Sequence, residues 1–369
     1  MSEKKRVVVA MSGGVDSSVA AYLLKQQGYD VVGVTMRLWS DEVMSASSHN
    51  RSCCSVEDAL DAKRVAQVLG FPHYVLNFEK EFKAHVMDYF VQEYRRGRTP
   101  HPCIACNDKI KFAFFLQRAL SFDAELIATG HYVQRADGPD GVQLLKATDS
   151  SKDQTYVLYG LKREEIERSL FPVGNISKPD VREIARRLSL PTADKPDSQE
   201  ICFVPEGDYR KFLAPQIPAV PGPIVDLDGK QVGVHPGITG YTVGQRKGLP
   251  SLPDGRRIYV VALDAPENTV IVGPEDSLYA TGLRASGANF QAEMADTATE
   301  RITVKIRYKS PEVGATLTHL DKDGTFQIDF DEPQRAVTPG QAAVVYRGEQ
   351  MIGGGVVDVA LRNVETTSK

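Results

Sequence analysis

Residues 12–17 read Ser12-Gly13-Gly14-Val15-Asp16-Ser17, and what flanks them decides the fold. They follow an apolar run, Val7-Val8-Val9-Ala10-Met11, and open a segment that carries Val19, Ala20, Leu23 and Leu24 at helical spacing. Strand, glycine-rich turn and helix together aim several backbone N–H groups at one spot, with the positive end of the helix dipole behind them. Such a spot binds phosphate. The Gly-x-x-x-x-Gly-Lys-Ser/Thr pattern of the common P-loop is absent. Asp16 and Ser17 also suit helix caps, and the two roles are compatible because serine hydroxyls reach phosphate oxygens as readily as backbone amides.

Working outward, strand and helix signals alternate to about residue 200. Strands are expected over 30–36, 73–77 and 125–129. Helices are expected up to Leu69 (with Ser55 and Asp58 as a capping pair), over about 79–96, and from Asn107 to Ser121 after a loop. This alternation implies an α/β fold with a doubly wound parallel sheet. Ligands of such sheets bind at the carboxyl ends of the strands, where Ser12, Met36 and Gly130 would fall. From Pro218 onward Pro and Gly become frequent and short strands replace helices. A hairpin is expected at 258–263 and 269–272, and further strands at 302–308, 316–320, 325–330, 341–346 and 353–357. The pattern predicts three domains: 1–210 as the α/β nucleotide-binding domain, 211–283 as a small β domain, and 284–369 as a β-barrel. Within the barrel, Lys305, Arg307 and Lys309 alternate with Ile306 and Tyr308. As a strand, that run would place three cations on one face, able to follow a phosphate backbone or to discourage edge-to-edge aggregation.

Composition bounds the remaining choices. The apolar fraction of 42% and charged fraction of 25% are those of an ordinary globular protein. No apolar run approaches the ~18 residues of a membrane span. The basic start, Met1 to Arg6, lacks the pattern of a signal peptide, so a cytoplasmic location is expected. A net charge of −4 does not advertise a nucleic-acid partner, yet a local basic surface can still bind one.

Five cysteines in a cytoplasmic chain do not read as a disulfide framework. The stretch Thr99-Pro100-His101-Pro102-Cys103-Ile104-Ala105-Cys106-Asn107 is expected to be a loop that presents its thiols at the start of a helix near Asp108. There the helix dipole, Lys109 and Lys111 would favour a thiolate. The Cys-x-x-Cys spacing leaves three readings open: a redox pair, half a metal site, or one nucleophile with a neighbour. A zinc ribbon would need a second such pair, and the adjacent Cys53 and Cys54 are a poor substitute, better read as small packed side chains. Cys202, in Asp197-Ser198-Gln199-Glu200-Ile201-Cys202-Phe203, reads on its own as packing.

Taken together, the motifs carry a resemblance. SGGVDSS at 12–18 resembles the PP-loop of ATP pyrophosphatases, which hold the leaving pyrophosphate while an oxygen attacks the α-phosphorus. PCIACNDKIKF at 102–112, ATGHY at 128–132, KDQTYVL at 152–158, DSQEICF at 197–203, YTVGQRKGL at 241–249 and KIRY at 305–308 follow in order. The set is similar to that of the tRNA-specific 2-thiouridylases and spans nearly the whole chain.

The resemblance implies ATP-dependent replacement of the C2 oxygen of a wobble uridine by sulfur, with Mg²⁺ offsetting the triphosphate charge. It implies ATP contacts from Ala10, Met11, Ser12, Gly13, Gly14, Val15, Asp16, Ser17, Met36 and Gly130. Cys106 would be the nucleophile, Cys202 the persulfide carrier, and the two would close a catalytic disulfide. His101, Pro102 and Cys103 would hold the target base, turned out of its stack. His131, Lys152, Asp153, Gln154, Arg307, Tyr308 and Gln341 would contact tRNA, and Arg95, Arg96, Arg98, Arg246, Lys247, Arg256 and Arg257 could extend that surface. Implied partners are the tRNAs for Lys, Glu and Gln and a persulfide donor, a cysteine desulfurase or a relay protein. Many family members carry Asp where this chain has Cys103. That departure opens a reading in which Cys103, Cys106 and Cys202 ligate an iron–sulfur cluster.

Overall fold

The structure, a computed structural model, describes residues 4–39, 56–138, 141–197, 201–204, 207–251, 255, 257–292 and 299–362. Cys53, Cys54, Ser55, the 40–52 loop, residues 198–200 and Arg256 lie outside them. The chain divides into two compact units. The first comprises 1–87, 102–207 and 349–352; the second comprises 88–101, 208–348 and 353–369.

The first unit is built on strands β1 (Arg6–Ala10), β2 (Asp30–Arg37), β3 (His73–Asn77), β4 (Leu126–Ala128), β5 (Gln134–Gly138), β6 (Gly141–Leu145) and β7 (Ser169–Leu170). Five of them form a parallel sheet in the order β3-β2-β1-β4-β7. Val7, Val8 and Val9 are wholly buried, as a strand covered on both faces requires. The chain lays β2 and β3 on one side of β1 and later β4 on the other. The order therefore reverses between β1 and β4, which is where open α/β sheets make their ligand crevice. Helix α1 (Val15–Gln26) buries Val15, Val19, Ala20, Ala21 and Leu24 in a core it shares with Val181 and Ala185 of the helix Lys178–Arg187. β5 and β6 form a hairpin beside the sheet, to which Gln350 and Met351 add backbone pairing.

The segment carrying the paired thiols differs from the sequence expectation. Helix begins at Pro102, not near Asp108: a turn at Pro102–Ala105 runs into a wider π-helical stretch, Cys106–Phe114, and then into Phe115–Ala119. Proline is at home in the first helical position, where its fixed φ is already helical and its missing N–H would have had no partner. The preceding Thr99-Pro100-His101 run remains irregular.

In the second unit, β8 (Gly222–Val225), β9 (Gln231–His235), β10 (Tyr259–Asp264) and β11 (Thr269–Gly273) form a sheet in the order β10-β11-β8-β9. β10 and β11 make the expected hairpin, with Asn268 taking the left-handed turn position at φ 47°. β12 (Tyr279–Phe290), β13 (Glu300–Lys305), β14 (Val313–Leu320), β15 (Phe326–Arg335), β16 (Ala342–Arg347) and β17 (Gln350–Leu361) follow. Their order β12-β15-β14-β13-β16-β17 closes through β12–β17 pairing into a six-stranded barrel. Leu283, Val304, Phe326, Ile328, Val344 and Tyr346 are wholly buried, and closure leaves no open edge.

The cationic strand face expected around Arg307 does not exist. β13 ends at Lys305, and residues 306–310 turn. The Ser310 amide donates to the Arg307 carbonyl at 3.2 Å, the Arg307 amide donates to Ser310 Oγ at 3.2 Å, and Pro311 has no N–H to continue a ladder. Among the described residues no helix is long and apolar enough to cross a membrane.

Candidate active site

Gly13 adopts φ +70°, and a Cβ there would stand 2.3 Å from the carbonyl oxygen of Asp58, so only glycine fits on both counts. Gly14 caps α1 through its backbone, with no side-chain cap bond. Its carbonyl accepts the Ser18 amide at 3.3 Å and the hydroxyls of Ser17 and Ser18 at 3.2 and 2.8 Å. The Ser12 amide donates to Ser17 Oγ at 3.3 Å, which folds the two ends of the loop together. Gly130, just past the end of β4, packs so tightly on this turn that a Cβ would lie 2.6 Å from the Ser17 nitrogen. Met11 and Met36 are buried at the ends of β1 and β2, and Thr35 Oγ1 donates to the Met11 carbonyl at 2.7 Å. The result is a loop tied to itself at a helix N-terminus, with little room for its backbone to shift.

Asp16 is not a cap. Its carboxylate accepts the Tyr132 hydroxyl at 2.7 Å and the Lys178 ammonium on both oxygens at 2.7 Å. The same ammonium reaches Asp197 Oδ1 at 2.8 Å, and Asp197 also takes Lys152 at 2.8 Å and Arg182 at 2.9 Å. Burial would raise the Asp197 carboxyl, but the hydrogen bonds from Lys152 and Lys178 outweigh it and hold the pKa at about 2. Burial, then the Asp16 charge, push the Tyr132 phenol far above its usual range, so it remains a proton donor to Asp16. Lys195 is likewise bound between Asp58, at 2.5 Å, and Asp61, at 2.8 Å.

None of Lys178, Asp197, Arg182 and Tyr132 was assigned a site role from the sequence. Ser177 with Asp180 does carry a legible helix-start signature, and the Ser177 hydroxyl bonds Asp180 at 2.5 Å. Nothing local says that the neighbouring lysine reaches 162 residues back to Asp16.

The three described thiols lie on the same unit. Cys103 is exposed, Cys106 is buried, and Cys202 is half-buried. Cys106 opens the π-helical stretch beyond the first turn, and Lys109 is paired with Asp108 at 3.0 Å, so the charge environment differs from a thiol at a helix start among free lysines. The adjacent Asn107 is buried and donates to the Val157 carbonyl at 2.9 Å. Cys202 rides on a short anchored segment: Phe203 and Val204 are buried, and Phe203 meets Phe82 edge-on at 5.7 Å. Among the described residues no group of three or more His, Cys, Asp or Glu side chains is placed to hold a metal ion. Cys103, Cys106 and Cys202 form no such group as they are placed.

The other expected contacts are placed as follows. His131 is buried, with Nδ1 2.8 Å from Thr129 Oγ1; burial, then the charge of Lys111, hold it well below its usual pKa. Asp153 takes the Ala147 amide at 3.1 Å and the Thr155 hydroxyl at 2.6 Å, and Gln154 Oε1 takes the Tyr132 amide at 2.8 Å. With Lys152 on Asp197, the 152–154 segment is tied to Asp197 and to Tyr132, two side chains of the Asp16–Lys178 cluster. In the second unit His101 is half-buried, its pKa pushed down to about 4 by desolvation, and it stands edge-on to Tyr308 at 5.9 Å. Arg307 Nη2 donates to the Ala336 carbonyl, and Gln341 donates to the Thr99 carbonyl at 2.7 Å. Arg95 donates to the Gln216 carbonyl at 2.8 Å, while Arg96 and Arg98 pair with Glu93 at 3.2 and 2.8 Å.

Comparison with known proteins agrees with this layout. Residues 5–206 match the model described as the tRNA methyl transferase HUP domain, 210–274 the tRNA methyl transferase PRC-barrel domain, and 280–357 the aminomethyltransferase beta-barrel domain. A protein of Symbiobacterium thermophilum named tRNA-specific 2-thiouridylase MnmA is 48% identical over 97% of this chain and 93% of its own. One of Caldanaerobacter subterraneus subsp. tengcongensis, named tRNA-specific 2-thiouridylase MnmA 2, is 49% identical over 98% and 100%. Among solved structures, a 4-thiouridine synthetase–RNA complex with bound ATP overlaps 58% of this chain and 50% of its own at 18% identity and a TM-score of 0.35, too slight a likeness to argue from. With near-complete coverage at almost half identity, the chain belongs to the tRNA-specific 2-thiouridylase family.

Proposed function

We propose that this chain is a cytoplasmic tRNA-uridine 2-sulfurtransferase that uses ATP to exchange the C2 oxygen of a wobble uridine for sulfur. The observation that carries the reading is the phosphate-cradling loop at residues 12–17, standing in the same unit as Cys106 and Cys202. ATP would lie with its phosphates on the backbone amides of Ser12 to Ser17 and its base toward Met36, with Gly130 leaving the loop room to keep its shape. Mg²⁺ would arrive on the phosphates, the usual way this ion is held, and would neutralise their charge.

The chemistry follows from leaving groups. Oxide is a poor leaving group from C2 of uracil. Attack of the C2 oxygen on the α-phosphorus expels pyrophosphate and converts that oxygen into part of an AMP ester. A persulfide on Cys202 supplies the sulfur: the Cys106 thiolate attacks the Cys202 Sγ, a Cys106–Cys202 disulfide forms, and the released hydrosulfide adds to C2 and displaces AMP. Uridine gains sulfur, the two cysteines are oxidised by two electrons, and a thiol reductant restores them. His101, Pro102 and Cys103 would hold the flipped base. Neutral His101, beside Tyr308, offers a flat apolar face and a hydrogen-bonding edge without a charge. His131, Lys152, Asp153, Gln154, Arg307, Tyr308 and Gln341 are proposed as tRNA contacts, and the tRNAs for Lys, Glu and Gln as substrates. A desulfurase or relay protein would load Cys202. The three matched segments support domains at 1–210, 211–283 and 284–369.

The matched families are named for methyl transfer, and that is the second reading. It leaves both the phosphate cradle and the thiol pair without work. Cys202→Ser separates the two: it should abolish thiolation while ATP-dependent adenylation of tRNA persists. Full thiolation by Cys202→Ser would refute the persulfide assignment, and a methylated product would favour the second reading.

A further inference from the structure

One ammonium sits between the two chemical halves of the first unit. Lys178 Nζ contacts both oxygens of Asp16, on the nucleotide loop, at 2.7 Å, and Asp197 Oδ1 at 2.8 Å. Asp197 stands five residues before Cys202. Lys178 is 7% exposed, so the charge has little water to turn to if either carboxylate leaves. Its own position is fixed: it follows the N-cap Ser177, its amide donates to Asp149 Oδ2 at 3.0 Å, and its ammonium lies 5.7 Å from the centre of the Tyr132 ring. The chain just before Asp197 is pinned at further points. Arg182 donates to the Ala193 and Lys195 carbonyls at 2.9 and 3.1 Å, and Lys195 reaches Asp58, whose carbonyl faces Gly13.

We propose that Lys178 is a positioning residue that couples the nucleotide loop to the cysteine-bearing segment by holding Asp16 and Asp197 on one buried ammonium. The inference deepens the functional reading above and rests on it for the roles of the loop and of Cys202. Its physical content is linkage: an interaction shared by two sites must transmit the state of each to the other. Whatever steadies Asp16, an incoming triphosphate above all, steadies Lys178 and through it Asp197. Loss of Asp197 removes one of the ammonium's two partners while leaving the loop its lysine. Loss of Lys178 frees both.

The test reads thiol reactivity and nucleotide affinity, neither of which needs turnover. Iodoacetamide alkylation of Cys202 is mapped by mass spectrometry in the full chain, with exposed Cys103 as internal standard and buried Cys106 as reporter of general loosening. Binding of α,β-methylene ATP is measured by calorimetry. Asp197→Asn should speed Cys202 alkylation by roughly fivefold or more and, by reciprocity, change nucleotide affinity by no more than a similar factor, with Cys106 still protected. Lys178→Met should speed Cys202 alkylation and also weaken nucleotide binding by roughly tenfold, and Lys178→Arg should restore both. Unchanged Cys202 reactivity in Asp197→Asn overturns the proposal, as does equal acceleration at Cys106. If Lys178→Met does not fold, Asp197→Asn decides the matter. Failure of the wild type to thiolate tRNA would refute the functional reading while leaving this coupling measurable.

Discussion

A single methyl group at Gly130 would stand 2.6 Å from the Ser17 nitrogen and 2.7 Å from the Asp16 carbonyl carbon. Both neighbours are backbone, so no side chain can rotate away and the start of α1 must shift. Gly130→Ala should therefore weaken ATP binding by roughly tenfold or more and cost about 1–3 kcal/mol of stability. Calorimetric titration with ATP and a urea midpoint measure the two effects, and an unchanged dissociation constant would contradict the cradle geometry. The 12–17 turn is legible in the sequence because the strand–glycine–helix pattern is local, whereas Gly130 is reached only as the end of a later strand and through the resemblance. The partner of Asp16 is not legible, since Lys178 lies 162 positions away and no local rule links the two.

At the scale of elements, the sequence pattern places β1 to β4 of the five-stranded sheet within a few residues. β1, β2 and β4 read as apolar runs bounded by turn signals, and β3, although Tyr74 and Val75 are exposed, is rich in strand formers. The two-residue β7 is too short to leave such a signal. Two elements were misread, each for a physical reason. The 99–107 run reads as a loop with helix from near Asp108, whereas Pro102 opens the helix at the one position where proline's missing N–H costs nothing. The run from Lys305 to Lys309 alternates like a strand, but the Arg307–Ser310 turn and Pro311 end the ladder at Lys305. The turn changes what Arg307 does: its guanidinium holds the Ala336 carbonyl and presents charge from a corner of the barrel instead of a row. Arg307→Glu should weaken tRNA binding, make log Kd less steep in log salt by about one phosphate contact, and leave ATP affinity unchanged. Filter binding across a salt series checks this; equal tRNA affinity at every salt concentration would remove the barrel from the tRNA interface.

For the molecule as a whole, buried ionisable groups set the response to acid. His101 is held down to about 4 by burial, against an ordinary value of 6.5. The unfolded chain therefore binds a proton first as pH falls below 6.5, and stability is lost progressively down to about pH 4. The loss from this group is at most about 3 kcal/mol. Buried His131 acts in the same direction. Asp197, held at about 2 by Lys152 and Lys178 against its burial, adds a second loss below its ordinary value of 3.8. Urea midpoints should fall from pH 6.5 to 4.5 in the wild type and fall less in His101→Asn; parallel profiles would contradict the desolvated, neutral state of His101.

The central claim is that ATP activation and cysteine-borne sulfur meet on one tRNA base. The most direct measurement incubates the purified chain with tRNA, ATP, Mg²⁺ and a cysteine desulfurase with cysteine, then digests the tRNA and weighs its nucleosides. The account predicts one 2-thiouridine at the wobble position for each AMP and each pyrophosphate released. AMP release without sulfur in the tRNA, or a methylated nucleoside in its place, would contradict it.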